Sequence, residues 1–374
     1  MDVIKLTNPT DKTKMEQGIF VEGITSKMWI EKYRDASEFT FTAPIDSGVK
    51  EMLPLDTYVT HMNTGEIMIV ENHEINETSQ AVPEVKITGR SLEVFLEERI
   101  VGSNKSLPQT SVVEYILPAD YTWNQAQKLI NEHAVTPYLV NLYNSFPYLR
   151  VPNPVIANVA GALSDRNIPY GQVYSALTSL LAVDDLGIKV VRPGHFSPLT
   201  GDEAVHTAFV IHAGVDRSKE VIFSYNTGEI TSADYLWSIK TLKNSAFVSG
   251  TYVQTQYDSG PANGYRRIMF VDGTSVDKGF PSTPVGIYLD QVVAAMQFLG
   301  AEAISTQNKL VMSKAEVRKD ATKAIYRKDF DLGDIIMVDG DYDEAQAMRV
   351  TEYVEIEDGT GESGYPTLTV NSQR

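Results

Sequence analysis

The residues with most scope for chemistry in this chain are six histidines and 49 acidic side chains; there is no cysteine. The histidines stand at His61, His73, His133, His195, His206 and His212. No two have the His-x-x-x-His spacing that sets a pair of ligands on one helix face. His206 and His212 flank a strand-like run, an awkward geometry for a tetrahedral metal. Each histidine therefore reads as structural or surface. The missing cysteines exclude disulfides, thiolate metal sites and cysteine nucleophiles, and fit folding in a reducing cytoplasm. Neither a Gly-x-Ser-x-Gly elbow nor a phosphate-binding loop ending in Gly-Lys-Ser/Thr occurs.

The acids offer three readings. Asp339-Gly340-Asp341-Tyr342-Asp343-Glu344 is the densest run. Alternating oxygen ligands suit calcium, but the twelve-residue loop and its terminal Glu are missing, and a solvated hairpin turn fits better. A carboxylate pair would serve a glycosidase or wall hydrolase. Asp334 is a candidate only generically, because after Leu332-Gly333 its carboxylate is placed to accept backbone N–H bonds at a turn. Gly89-Arg90-Ser91 reads either as an anion nest or as a strand-to-helix corner shaped by glycine, with Ser91 as the cap. The corner is preferred. No catalytic, cofactor-binding or metal residue is assigned, no cofactor is expected, and the chain is not expected to be an enzyme.

The charge limits the partners. Lys and Arg number 32 against the 49 acids, a net charge of −17. Phosphate contacts need clustered cations, so specific nucleic-acid binding is not expected. The nineteen tyrosines are dispersed and not interleaved with basic residues, which does not make a base-stacking platform. No apolar run approaches the roughly 18–20 residues of a membrane span, and the N-terminus lacks a signal-peptide pattern.

The elements that would position these residues contain a repeat, which sets architecture before any other signal. The late stretch Asp331-Leu332-Gly333-Asp334-Ile335-Ile336-Met337-Val338, then Met348 to Ile356, then Pro366-Thr367-Leu368-Thr369-Val370 has a weaker early copy. That copy runs Leu55-Asp56-Thr57-Tyr58-Val59, Ile67-Met68-Ile69-Val70, and Pro83-Glu84-Val85-Lys86-Ile87. Leu55 matches Leu332, Met68 and Val70 match Met348 and Val350, and Pro83 matches Pro366. Tyr235-Leu236-Trp237 takes the part of Met28-Trp29-Ile30.

The expected fold is a β-rich α+β chain with two similar antiparallel β-barrel modules, a small α/β unit between them and an inserted α/β segment. Residues 1–102 form the first module. Within them Glu38–Pro44 alternates as a half-buried strand, and Leu92, Phe95, Leu96 and Ile100 fall on one helix face. Residues 103–219 form a connecting unit, with helices over Ser111–Leu117, Asn124–His133 and Tyr170–Leu181. In that unit Pro137–Pro154 is an extended excursion, Gly187 stops the last helix before a strand at Ile188–Val191, and a loop spans Gly194–Asp202. Residues 220–255 with 325–374 form a discontinuous second module. Residues 256–324 are the insertion, with a Gly260–Gly264 loop, a strand at Arg267–Val271 and a helix over Tyr288–Leu299 that buries Val292, Ala295, Met296 and Leu299.

Several stretches resemble a known family. They are Trp29 with Phe39-Thr40-Phe41, Ile87-Thr88-Gly89-Arg90-Ser91-Leu92 through Ile100, Val221–Ser224 through Asn244–Gly250, and Tyr326-Arg327-Lys328-Asp329-Phe330-Asp331-Leu332-Gly333-Asp334. Together they resemble phage tail-tip hub proteins, the siphophage relatives of the central baseplate hub of contractile-tailed phages. The resemblance implies a structural protein of the virion tail tip, assembled in the host cytoplasm. It implies a homotrimer whose two modules per chain give a pseudo-sixfold ring that docks on the sixfold tail tube. Implied neighbours are the distal tail or tail tube protein, the tape-measure protein and tip or fibre proteins. DNA and the tape-measure protein would pass the lumen during ejection, without membrane insertion by the hub. Rival readings are a tail-associated wall hydrolase and a module that binds host-surface glycan through the Tyr-rich 138–148 segment or the insertion.

Overall fold

The computed structural model describes residues 3–6, 18–76, 83–102, 115–135, 149–152, 164–168, 170–192, 207–224, 230–239, 242–260, 264–277, 287–305, 310–317, 324–339, 346–359 and 361–370. The excursion over 137–154 and the loop over 194–202 lie mostly or wholly outside them, as do His195, His206, residues 261–263 of the Gly260–Gly264 loop, and the acidic run after Asp339.

The first module contains β1 (Val3–Leu6), β2 (Gly18–Phe20), β3 (Ser26–Lys32), β4 (Glu38–Pro44), the single turn α1 (Val49–Met52), β5 (Tyr58–His61), β6 (Ile67–Asn76) and β7 (Glu84–Ser91). Period-two alternation makes β3 and β4 strands. It turns Trp29, Phe39 and Phe41 inward, where Trp29 stacks 6.0 Å from Phe39 and 6.5 Å from Phe41. Val59, Met68, Val70, Val85 and Ile87 complete this core. Each large apolar side chain sealed there contributes about 1.5–3 kcal/mol.

The connecting unit holds β8 (Tyr115–Asp120), α2 (Thr122–Ile130), β9 (Leu149–Arg150), β10 (Ser164–Ile168), α3 (Val173–Val183), β11 (Gly187–Val191) and β12 (Thr207–His212). Ala126, Leu129 and Ile130 are buried on one of the two helices, and Val173, Leu177, Leu180 and Leu181 on the other. These side chains share a core with Leu6, Ile67, Ile69, Leu92 and Leu96 of the first module.

The remainder contains β13 (Ile222–Ser224), β14 (Ile230–Ser238), β15 (Ser245–Ser249), β16 (Gln254–Asp258), β17 (Ile268–Asp272), the turn α4 (Thr274–Asp277), α5 (Ile287–Ser305), β18 (Leu310–Val317), β19 (Ile335–Asp339), β20 (Gln346–Asp358) and β21 (Gly361–Val370). Among the described residues thirteen strands form one sheet. Its path is β14-β18-β21-β20-β3-β4-β7-β6-β5-β1-β2, with β19 beside β20 and β13 beside β19. The chain is thus β-rich with few helices, and no pairing among these strands closes the sheet on itself.

The repeat is written into the backbone hydrogen bonds. Val70 N donates to Thr57 O at 2.8 Å and Val350 N to Asp334 O at 2.9 Å. Asp56 N donates to Val70 O at 2.9 Å, as Gly333 N does to Val350 O at 2.8 Å. Asp56 and Gly333 both take positive φ, 63° and 88°. The ladders slip at the same place, between Val70 and Asn72 in β6 and between Val350 and Glu352 in β20. Such a bulge kinks both strands alike. The order β3-β4-β7-β6 therefore recurs as β14-β18-β21-β20.

Several expectations are corrected. Pro366 is not the counterpart of Pro83: Gly89 faces Val70 where Leu368 faces Val350, so ladder position sets Pro366 against Ile87. Turn lengths differ between the copies, and proline matching across them misleads. Leu310–Val317, expected in the insertion, pairs with β14 and β21. Ser245–Ser249, expected in the second module, pairs instead with β16 and β17 in a separate sheet, where Ala246 and Val248 pack on Val292 and Met296 of α5. Ala295 on that helix faces outward, whereas Val292 and Met296 are buried and Leu299 packs against the core. Within Ser111–Leu117 the described part from Tyr115 is strand, not helix, because its burial alternates with period two. Ser91 does not cap the following turn; its hydroxyl accepts Ser37 N at 2.8 Å. Gly89 lies inside β7, where a Cβ would meet Ile69 O at 1.8 Å. Ile100 is exposed rather than sharing the apolar face of Leu92 and Leu96.

Candidate functional site: the seam between the repeated modules

The two copies join where β20 pairs antiparallel with β3, from Glu352 opposite Lys32 to Glu357 opposite Lys27. Alternation along β3 turns Lys27, Trp29 and Glu31 to the same buried side, so two charges come inside with the tryptophan. A buried charge needs a partner, and both have one. Lys27 Nζ donates to Glu355 Oε1 at 2.7 Å, lies 2.7 Å from His61 Nε2 and 3.3 Å from Glu357 Oε2. Burial works to raise the Glu355 carboxyl, but His61, Lys27 and Arg327 outweigh it and hold it below the usual carboxylate range.

Glu31 is held by the stretch that leads into the second copy. Tyr326 Oη donates to Glu31 Oε2 and Arg327 Nη2 to Glu31 Oε1, each at 2.6 Å. Arg327 adopts a positive φ of 65° to do so, a costly backbone for a side chain with a Cβ. Tyr326 stacks on Tyr353, centroids 3.8 Å apart, and Tyr353 stands opposite Glu31 in the ladder.

Tyr33, just past β3, ties in the connecting unit. Its hydroxyl donates to Asp185 O at 2.8 Å, and Gly214 N reaches it at 3.3 Å. Burial pushes its phenol up to about 12. Gly187 and Gly333 both close on its ring. Gly187 thus starts β11 and packs on Tyr33 instead of stopping the helix; the left-handed residue after α3 is Asp185, at φ 58°.

Asp334 behaves as the turn reading required. Its Oδ1 accepts Val215 N at 2.7 Å, and its Oδ2 accepts Asp331 N at 2.9 Å and Arg217 Nε at 2.8 Å. The Leu-Gly-Asp motif is architectural.

Several other titratable groups are buried or half-buried. His73 contacts Leu53 O at 2.7 Å, and His133 lies between Leu129 O and Gly102 N. His212 is pushed down to about 3, by burial and then by the charge of Lys189. Glu93 is pushed up to about 7 by burial, while Val190 N donates to its Oε1 at 2.6 Å. Glu66 is raised well above the usual range by burial and by the charges of Glu31 and Glu93. A raised carboxyl suits a general acid, yet Glu66 and Glu93 are 6% and 1% exposed, out of reach of a polymer substrate. Sequence reasoning missed this buried acid pair; no motif marks it, because the acids come from separate strands and turns. Among the described residues no His, Asp and Glu cluster could hold a metal ion, and no helix is long and apolar enough to cross a membrane. Asp339 accepts the Ser224 hydroxyl at 3.2 Å.

The fold is similar to that of solved phage tail proteins. The tail protein from Neisseria meningitidis MC58 superposes with a TM-score of 0.55 at 12% identity, over 99% of this chain and 96% of that one. The 43 kDa tail protein of prophage MuSo2 from Shewanella oneidensis gives 0.55 at 9% identity, over 98% of each chain. A prophage tail protein from Listeria monocytogenes EGD-e gives 0.50 at 11%, over 100% of this chain and 96% of that one. At such identities the likeness is one of fold. The family model described as Siphovirus ReqiPepy6 Gp37-like protein matches residues 11–367, and the chain belongs to that family. No curated protein matches it by sequence.

Proposed function

We propose that this protein is the structural hub at the distal end of a siphophage tail, a non-enzymatic virion component assembled in the host cytoplasm. The observation that carries the reading is the duplicated hydrogen-bond pattern around Val70 and Val350, joined edge to edge by β20 and β3. Each copy acts as one tube-type module within the division into a first module, connecting unit, discontinuous second module and insertion. Three chains then supply six similar modules, so that a trimer presents pseudo-sixfold symmetry to a sixfold tube. Closed cyclic symmetry with head-to-tail contacts builds such a ring. The tail tube or distal tail protein docks on one face and tip or fibre proteins on the other. DNA and the tape-measure protein pass the lumen. The net charge of −17 keeps phosphates from adhering to it, within a Debye length of about 8–10 Å.

The test is stoichiometry. Light scattering on the purified chain and electron microscopy of tails should give one trimer at the tip. A strict monomer in solution together with tails that lack the chain would end the hub reading.

A second reading has its own observation. On the inserted unit, Phe247 stands opposite Phe270 in the ladder, and Ile268, Phe270 and the nearby Tyr265 are exposed. An open aromatic sheet face is suited to stacking on sugar rings of a host surface. Binding of host wall glycan by the protein, lost in Phe270→Ala, would support it; no retention on a glycan column would remove it.

A further inference from the structure

We infer that the outer face of the inserted sheet takes a glycan linked by phosphodiesters, with sugar rings on Phe270 and Phe247 and phosphate on Arg266 and Lys243. The inference rests on the glycan reading above and names the chemistry of that glycan.

The strand registers lay the face out. Ile268 and Phe270 of β17 and Phe247 of β15 are exposed. The ladders set Ile268 beside Ser245 and Asp258, then Phe270 beside Phe247 and Gln256, then Asp272 beside Ser249 and Gln254. These rows share one face because side chains alternate along a strand; Ala246, Val248, Met269 and Val271 turn the other way, into the core on α5. The two phenylalanines sit on adjacent strands, whose backbones run about 4.7–4.9 Å apart. Carrying β15 and β17 one alternation further back sets Lys243 beside Arg266 at the end of the same face. The contacts agree with that placement. Arg266 Nη2 lies 3.2 Å from Asp258 Oδ2 on the far side of β15, and Lys243 Nζ donates to Ile268 O at 3.5 Å.

Asn244 pins this cationic end. Its Oδ1 accepts Arg267 N at 2.7 Å, its Nδ2 donates to Tyr265 O at 2.9 Å, and its backbone N donates to Arg267 O at 3.1 Å. Tyr265 is thereby presented outward, 79% exposed, with the Arg267 guanidinium carbon 5.2 Å from its ring centre. An exposed apolar patch rimmed by polar groups marks an interaction surface.

Charge picks out the occupant. The chain carries −17 overall. Lys243, Arg266 and Arg267 nevertheless gather here, and among the described residues Asp258 is the carboxylate ion-paired with them. The other acid of the face, Asp272, stands at the opposite end and accepts Thr274 N at 2.9 Å. One guanidinium fork fills a planar carboxylate, whereas a tetrahedral phosphate takes a fork and an ammonium together. From Arg266 to Phe270 the strand rises about 13 Å, at about 3.3 Å per residue. A glycan phosphate lying along β17 therefore meets the aromatic pair and the cations at once. A nucleic acid strand brings one charge per about 3.4 Å, more than three cations at one end of the face can meet in so acidic a chain. A glycan with sugars between its phosphates brings fewer.

The test uses the full chain and isolated cell walls of the host, intact or stripped of phosphodiester-linked polymer with hydrofluoric acid. Intact walls should retain the protein and stripped walls should not. Retention should weaken as ionic strength rises from about 0.01 to about 1 M, over which the Debye length shrinks from about 30 to about 3 Å. Lys243→Gln combined with Arg266→Gln should lower affinity on the order of a hundredfold, about tenfold for each cation. Phe270→Ala should lower it as well, with melting curves showing that the variants fold. Equal, salt-insensitive retention on intact and stripped walls overturns the phosphate assignment and leaves a neutral-glycan reading standing. Retention unchanged in all these variants places the binding elsewhere and overturns the inference. Displacement by a single-stranded oligonucleotide but not by soluble wall polymer assigns the face to nucleic acid and overturns it too. No retention on either wall removes both the inference and the glycan reading.

Discussion

Gly333 closes on the ring of Tyr33: a Cβ there would stand 2.2 Å from ring Cε2, and the residue holds φ 88°. Gly187 approaches the same ring carbon, with a Cβ position at 2.3 Å. The second module and the connecting unit are thereby clamped on one side chain of the first.

Gly333→Ala is expected to destabilise the chain by about 2–5 kcal/mol, from the left-handed backbone and from overpacking. The measurement is the denaturation midpoint beside that of Gly48→Ala. Gly48 has φ 78° but no atom within 4 Å of its Cβ position, so it reports the backbone cost alone. Equal losses in the two variants would show that the Tyr33 contact is soft.

Asp334→Asn tests the Leu-Gly-Asp turn. The carboxylate accepts three donors while 4% exposed, and an amide replaces one accepting oxygen with a donor. Leaving Arg217 or Asp331 N unsatisfied costs on the order of 1–3 kcal/mol. Urea denaturation should show the loss, and hydrogen exchange at Val215 and Asp331 should accelerate. Unchanged protection at both amides would contradict the assignment.

Lys27→Met tests the seam. It strands Glu355 and Glu357 beside His61, at an expected cost of about 2–4 kcal/mol, less than a fully buried pair because Glu355 is 22% exposed. The pH dependence follows from the depressed Glu355 carboxyl. Its stabilising contribution is complete above the ordinary 4.5 and is lost as pH falls through the folded value. Melting temperature should therefore fall less steeply on acidification in Lys27→Met than in the unmodified chain.

Legibility in the sequence followed the range of the interactions. The repeat was visible at Met68 and Val70 against Met348 and Val350 because a strand carries its own period and its bulge. Helices over Asn124 and Tyr170 were visible for the same local reason. Strand membership was not, since nothing in Leu310–Val317 says which distant strands it joins, and its neighbours β14 and β21 lie far away in the chain. The seam was equally hidden. No local signal marks Lys27 and Glu31 as buried charges, because the strand beside them, β20, comes more than 300 residues later. Asp334 was read as a turn residue because one of its three donors, Asp331 N, lies at its own turn, whereas no spacing announces Val215 and Arg217.

Glu93→Gln is the last test, and its sign is set by two opposed groups. The folded chain keeps a proton on Glu93 up to about 7, while the unfolded carboxyl releases it near 4.5. Between these values stability falls as pH rises, and the penalty is complete above about 7. His212 works the other way: the unfolded imidazole binds a proton near 6.5 that the folded one refuses until about 3. Its share of stability is present above 6.5 and is lost on acidification through that window. Over the overlap the two slopes oppose each other, so the unmodified chain should show a shallow profile. Glutamine retains an oxygen for Val190 N and cannot ionise. The variant should match the unmodified chain near pH 4.5 and gain on it steadily up to pH 7, by on the order of a few kcal/mol. Melting curves across that range decide it: a constant difference between the two proteins would mean that Glu93 ionises normally in the folded state.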